Sequence, residues 1–149
     1  MAMTVATTIA KEVGLSRKIQ FDSAGTHAPR VGQKADARAI ASLANRGYKA
    51  ERSRSRRIEL VDFKDFDLVL AMDSDTLSTL KKISPAQHLH KLQLFLHFTL
   101  DNKVAEVPDP YFGDAAGFEH VLDLCEKGAR GLIQQYRAKS GVPTILDED

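Results

Sequence analysis

The sequence predicts an α/β protein, a parallel sheet with helices on both faces. Three observations carry this. Short apolar runs alternate with longer segments of helical periodicity, the pattern of strands joined by crossover helices. The run Leu68-Val69-Leu70-Ala71-Met72 is apolar without interruption, as expected of a parallel strand covered on both sides. Finally, Phe118, Val121, Leu122, Cys125, Ala129, Leu132, Ile133 and Tyr136 recur at helical spacing and form one continuous face.

The elements follow in chain order. Val5, Ile9 and Val13, with Ala6 and Ala10, form a first helical stripe that ends at Gly14, a residue suited to a left-handed stop. No Ser, Thr, Asp or Asn precedes this helix as a cap, so a helix starting on Met1 is expected to belong to a fold entered partway. Ile19-Gln20-Phe21-Asp22-Ser23 reads as a short strand running into the Ala24-Gly25-Thr26 turn. A second helix is expected over 35–46, with Ile40, Leu43 and Ala44 inward, Asp36 in its first turn and Gly47 as its stop. Arg52, Arg54, Arg56 and Arg57 form a basic run that could hold phosphate but reads by default as a solvated loop. After the 68–72 strand, Asp73 can cap a helix bearing Leu77 and Leu80 that stops at Ser84-Pro85. Leu92-Gln93-Leu94-Phe95-Leu96 reads as a third strand, with a helical turn as the alternative.

Composition narrows the function. The 149 residues suffice for one domain, expected over 1–139 with a fraying tail over 140–149. A net charge of +1 creates no field that would draw the chain to nucleic acid or a membrane. Cys125 is the only cysteine, which excludes an internal disulfide. With no signal-peptide pattern and no apolar run of spanning length, a cytoplasmic location is expected. Because Cys125 lies within the apolar helix face, it reads as a buried core thiol and not a nucleophile. His88 and His90 alternate, but no third ligand is evident, so no metal and no cofactor are expected.

The most directed chemistry lies in Val107-Pro108-Asp109-Pro110-Tyr111-Phe112. The two prolines push Val107 and Asp109 into extended conformations and stiffen the loop, so that it presents one carboxylate on a rigid arm. A positioned carboxylic acid serves a leaving group that must depart protonated. The adjacent aromatics could wall a flat substrate. The plainer reading is a Pro-rich turn between a strand and a helix.

Taken together, Asp22-Ser23-Ala24-Gly25-Thr26, the segment 35–48, Asp67-Leu68-Val69-Leu70-Ala71-Met72-Asp73 and Val107-Pro108-Asp109-Pro110-Tyr111 resemble the low-molecular-weight protein tyrosine phosphatases. The order and spacing match from Met1 to about Tyr136. The resemblance implies hydrolysis of phosphotyrosine monoesters through a cysteinyl-phosphate, on a phosphotyrosine protein or an aryl phosphate. It makes Asp109 the general acid, Tyr111 and Phe112 the aromatic substrate wall, and Ser23 a support behind the phosphate loop. Ser53 falls where the family often has a histidine in the same network.

One departure is large. No Cys-x5-Arg occurs in the sequence: six positions after Cys125 stands Gly131, and Arg130 breaks the spacing. Aligned on the family pattern, Met1 falls just after the phosphate loop, so the first strand, the loop and its nucleophile are expected to be missing and the chain inactive. The alternatives are a non-catalytic interaction or regulatory protein that keeps the aromatic arm, and arsenate reduction, which one buried thiol disfavours. Without its inner strand, the sheet is expected to close by movement of 19–23 beside 68–72, or by a strand from a second copy. The first helix is then expected to be displaced or poorly ordered.

Overall fold

The larger of two apolar cores is built around one long C-terminal helix. The computed structural model describes residues 1–26, 36–49, 56–99, 105–109 and 115–140. The helices are α1 (Ala2–Glu12), α2 (Ala37–Asn45), α3 (Leu60–Asp65), α4 (Ser74–Ile83) and α5 (Ala115–Ser140), and the strands are β1 (Val69–Ala71) and β2 (Leu92–Leu94). Short 3₁₀ turns at Ala86–Lys91 and Phe95–Phe98 flank β2.

β1 and β2 pair in parallel, with Val69 opposite Leu92, Leu70 opposite Gln93 and Ala71 opposite Leu94. Parallel strands need a long crossover, which α4 and the first 3₁₀ turn provide. Alternate residues of β1 enter different cores. Leu70 and Met72 pack with α1 and α5, whereas Val69 and Ala71 pack with Phe63 of α3 and Leu80 of α4. The strand is therefore covered on both faces, which explains why its sequence is apolar throughout rather than alternating.

The stripe read from α5 is the core: Phe118, Val121, Leu122, Cys125, Ala129 and Ile133 are buried, with Tyr136 partly buried at the edge. Two glycines on this helix allow close approach. A Cβ on Gly128 would strike the Phe95 ring, and one on Gly131 would strike the Phe98 carbonyl oxygen. Charged groups fasten α2 to the same helix. Arg46 reaches Glu119 at 2.8 Å and Asp123 at 2.7 Å, and the Tyr48 hydroxyl donates to Glu126 at 2.7 Å. Burial pushes the Tyr48 hydroxyl up to about 12, and its bond to the Glu126 carboxylate adds to the shift.

Several expectations need correction. α1 is neither displaced nor loose: Val5 is fully buried, Ile9 and Ala10 nearly so, and the helix lies along α5. Its core contacts hold it without a capping side chain, while Gly14 ends it at φ 77°. The buried Arg137 guanidinium donates to the Val13 carbonyl at 3.0 Å, closing the same end. Residues 19–24 form no strand; Gly25 makes a lone parallel bridge to Arg57. In α2 the inward residues are Ala39, Ser42 and Leu43, with Ile40 and Ala44 exposed, and Asp36 is the N-cap and not a first-turn residue. Its side chain accepts from the Arg38 N–H at 2.8 Å. The 92–96 run divides into a three-residue strand and a 3₁₀ turn. α3 was not anticipated. The expected tail beyond residue 140 lies outside the described residues.

Candidate active site

The site lies at the carboxyl end of β1, where open α/β sheets place their ligands. Asp73 directly follows the strand and caps α4, accepting from the Thr76 N–H at 2.7 Å. Beside it runs the extended segment 105–109. Two bonds anchor this arm: the Val107 N–H donates to the Met72 carbonyl at 2.8 Å, and the Ser74 N–H donates to Glu106 Oε1 at 2.9 Å. Val107 is itself buried. The bond from Ser74 holds the Glu106 carboxyl below its usual value, so the anchor is charge-assisted at ordinary pH. The arm thus presents Asp109 from a fixed base, two residues beyond its last backbone bond. Asp109 is exposed and lines the cavity beneath it.

That cavity is about 700 Å³. Residues 20–26 form one wall and residues 68–73 the other, while Ala6, Val121 and Cys125 lie between α1 and α5 on one side. The expected closure of the sheet has therefore not occurred: neither 19–23 nor any other described segment lies beside β1 opposite β2.

Arg56 binds this site together. Its guanidinium donates to Asp62 at 2.9 and 3.1 Å and to Asp22 at 3.0 Å. Asp62, buried at the start of α3, also accepts from the Glu59 N–H at 2.8 Å. The Arg56 hydrogen bonds hold its carboxyl below the ordinary aspartate value. The Gly25 N–H donates to the Arg56 carbonyl, and the Ile58 N–H donates to the Gly25 carbonyl, both at 2.9 Å. Reading the basic run as a solvated loop is thus wrong for Arg56. The local signal was present in Glu59 and Asp62, three apart as at a helix start, six residues from the arginine.

Among the described residues, Arg56 is the only basic side chain lining the cavity, against Asp22, Asp62, Asp73 and Asp109. Since Arg56 is committed to two of those carboxylates, it does not serve as a ready phosphate clamp. Cys125 also lines the cavity, but it is almost fully buried, and burial pushes its thiol up to about 11. Ser23 lies on the wall, exposed, with its N–H bonded to Asp22 Oδ1 at 2.8 Å. Ser53, Tyr111 and Phe112 lie outside the described residues. The structure therefore brings Ser23 and Asp109 to one cavity with Arg56 of the basic run, and adds Asp62 on its lining and Glu106 in the arm, neither of which was read from the sequence.

A parallel strand pair sheathed by helices, with a cavity at the strand termini and a carboxylate arm beside it, defines an α/β domain. The chain belongs to the low molecular weight phosphotyrosine protein phosphatase family, whose family model matches residues 1–141. A Synechocystis protein provisionally described as a low molecular weight protein-tyrosine-phosphatase is 43% identical over 123 residues, 82% of this chain and 78% of the relative. The low molecular weight protein-tyrosine-phosphatase of Streptomyces coelicolor is 34% identical over 142 residues, 92% of this chain and 85% of the relative. A solved protein tyrosine phosphatase from Entamoeba histolytica superposes with a TM-score of 0.87 at 36% identity, covering 94% of this chain and 88% of the other. The fold is accordingly that of this family. No described helix is long and apolar enough to cross a membrane.

Proposed function

We propose that this chain carries the acid side of a phosphotyrosine phosphatase and that these 149 residues do not turn over by themselves. Asp109 is the proton donor to a departing phenolate, from a phosphotyrosine protein or an aryl phosphate. Tyr111 and Phe112 flank the ring, and Ser23 and Ser53 support the phosphate site. The observation that carries this reading is the arm fixed by the Val107–Met72 and Ser74–Glu106 bonds, which aims a carboxylic acid over the cavity at the end of β1.

What lines that cavity supports the proposed inactivity. Phosphoryl transfer through cysteine needs a thiolate, together with N–H donors or a cation for the oxyanion. The one thiol keeps its proton, and the one lining arginine is paired. A phosphate dianion entering here meets Asp73 and Asp109, whose carboxylates repel it when ionised. A nucleophile serving this chemistry would have to stand in the cavity between residues 20–26 and β1, beneath Asp109. A second reading, a non-catalytic interaction protein, draws on the same open cavity.

The test is hydrolysis of p-nitrophenyl phosphate by the purified chain. No rate above that of Asp109→Asn is expected. Turnover that disappears in Cys125→Ser would overturn both the proposed inactivity and the inert role given to Cys125.

A further inference from the structure

We infer that the 3₁₀ turn Ala86–Lys91 is an acid-sensitive latch on α3, closed while His88 is neutral and released when its ring takes a proton. The inference is independent of the phosphatase reading: it concerns the contact between this turn and α3 and needs neither Asp109 nor turnover.

Lys91 fastens the latch. Its ammonium donates to the Phe63 carbonyl at 2.8 Å and to the Lys64 carbonyl at 3.2 Å. Both belong to the terminal carbonyls that a helix cannot satisfy by itself. α3 has six residues, too few to persist on its own hydrogen bonds, so it depends on such outside partners. The consequence reaches beyond the turn, because α3 also carries Asp62, which holds Arg56 through two hydrogen bonds.

His88 is half-buried in surroundings that suit only its neutral form. Its Nδ1 is buried and has no hydrogen-bond partner. The neutral ring meets this by carrying its proton on Nε2, whereas the protonated ring must also place an N–H at Nδ1, where nothing accepts it. Among the described residues, the groups whose charge bears on the ring are all basic: His90 and Lys91 from its own turn and Lys64 from α3. β2, also packed against the turn, brings Leu92, Gln93 and Leu94 and no titratable side chain. Burial, then Lys91, His90 and Lys64, hold the ring below the ordinary histidine value. A proton from water therefore adds to the closed turn a buried donor without an acceptor and a charge that repels Lys91 and Lys64. Opening hydrates the imidazolium and separates these cations. Because the closed form has the lower value, the latch is complete above the ordinary 6.5 and weakens as pH falls through the depressed one.

Amide exchange of the whole chain between pH 7.5 and 5.0, corrected for intrinsic rates, reads the latch. The reporters are the Phe66 N–H, bonded to the Asp62 carbonyl, and the Leu92 N–H, bonded to the Leu89 carbonyl. Their protection should fall about threefold or more over this range, by no more than about tenfold per pH unit for one proton. The Cys125 amide within α5 should be unaffected. Asp62 takes up no proton in this window, since its carboxyl titrates below 3.8. Ring resonances recorded on the same samples should show His88 titrating below 6.5. His88→Leu should abolish the pH dependence, His90→Gln should retain it, and Lys91→Met should lose protection at pH 7.5 as well. Flat wild-type protection across the range would overturn the inference, as would a His88 ring titrating at or above the ordinary value. So would an unchanged fall in folded His88→Leu, or undiminished protection in folded Lys91→Met. The two wild-type readings decide the matter even where a variant fails to fold.

Discussion

Replacing Arg56 with methionine keeps much of the side-chain volume and removes the charge that joins the 20–26 wall to α3. The cost can be built up from its bonds. The pair with Asp62 is bidentate, and the Asp62 side chain is only 12% exposed, so its carboxylate keeps only the Glu59 N–H when Arg56 is lost. Losing one partner of a fully buried pair costs about 3–5 kcal/mol. Arg56 is 32% exposed, however, which lowers the expectation to about 2–3 kcal/mol, near the range for hydrogen bonds to charged groups. The pair with Asp22, 47% exposed on the carboxylate side, adds about 0.5 kcal/mol at most. At about 2–4 °C per kcal/mol for a chain of this length, the melting temperature should fall by roughly 4–14 °C. Urea unfolding of Arg56→Met, Asp62→Asn, Asp22→Asn and the two double variants separates the contributions. Coupling should exceed about 1 kcal/mol for Arg56 with Asp62 and stay below about 0.5 for Arg56 with Asp22. The Asp62 carboxyl titrates below its reference value of 3.8. Its contribution is therefore complete above that value and is lost as pH falls through the depressed native one, so the difference between wild type and Arg56→Met should shrink on acidification. A loss below about 0.5 kcal/mol at neutral pH would refute the reasoning, placing Arg56 among ordinary surface cations.

Three other outcomes follow from the packing and the arm. Cys125 should resist a disulfide reagent at pH 8 in the native chain and react fully in guanidinium, since burial raises its thiol to about 11; rapid native labelling would contradict its place in the core. Gly131→Ala should destabilise by about 1–3 kcal/mol in urea and more than Gly128→Ala, because the Phe98 carbonyl is backbone whereas the Phe95 ring can turn aside. Glu106→Gln should loosen the 105–109 arm, read as faster amide exchange at Val107 with little change in global stability. The carboxyl of Glu106 is depressed from 4.5, so wild type should acquire the same faster exchange as pH falls below that value.

The helices and the buried strand were legible because each is written in local periodicity. The α5 face needed only the spacing of Phe118, Val121, Leu122 and Cys125, and that spacing also located the thiol in the core. Gly14 and Gly47 marked two helix ends, and both adopt positive φ, at 77° and 84°. Asp73 was readable as a cap because it precedes a helical pattern directly. The family likewise lay in contiguous motifs, and the match over residues 1–141 bears it out.

What remained hidden depends on partners distant in sequence. Residues 19–23 have strand-like composition, but a strand exists only where a neighbouring ladder is available, and here the position beside β1 is open. Which face of α2 turns inward was settled by its docking on α5 through Arg46 and Tyr48, and that leaves Ile40 outward. Arg56 looked solvated until folding brought Asp22, thirty-four residues away, to the same guanidinium as Asp62. Periodicity determined which surfaces each segment would bury. Only the tertiary arrangement decided which edges stayed unpaired and which charges met, because hydrogen bonds and ion pairs depend on distance in space, and local sequence carries no record of that distance.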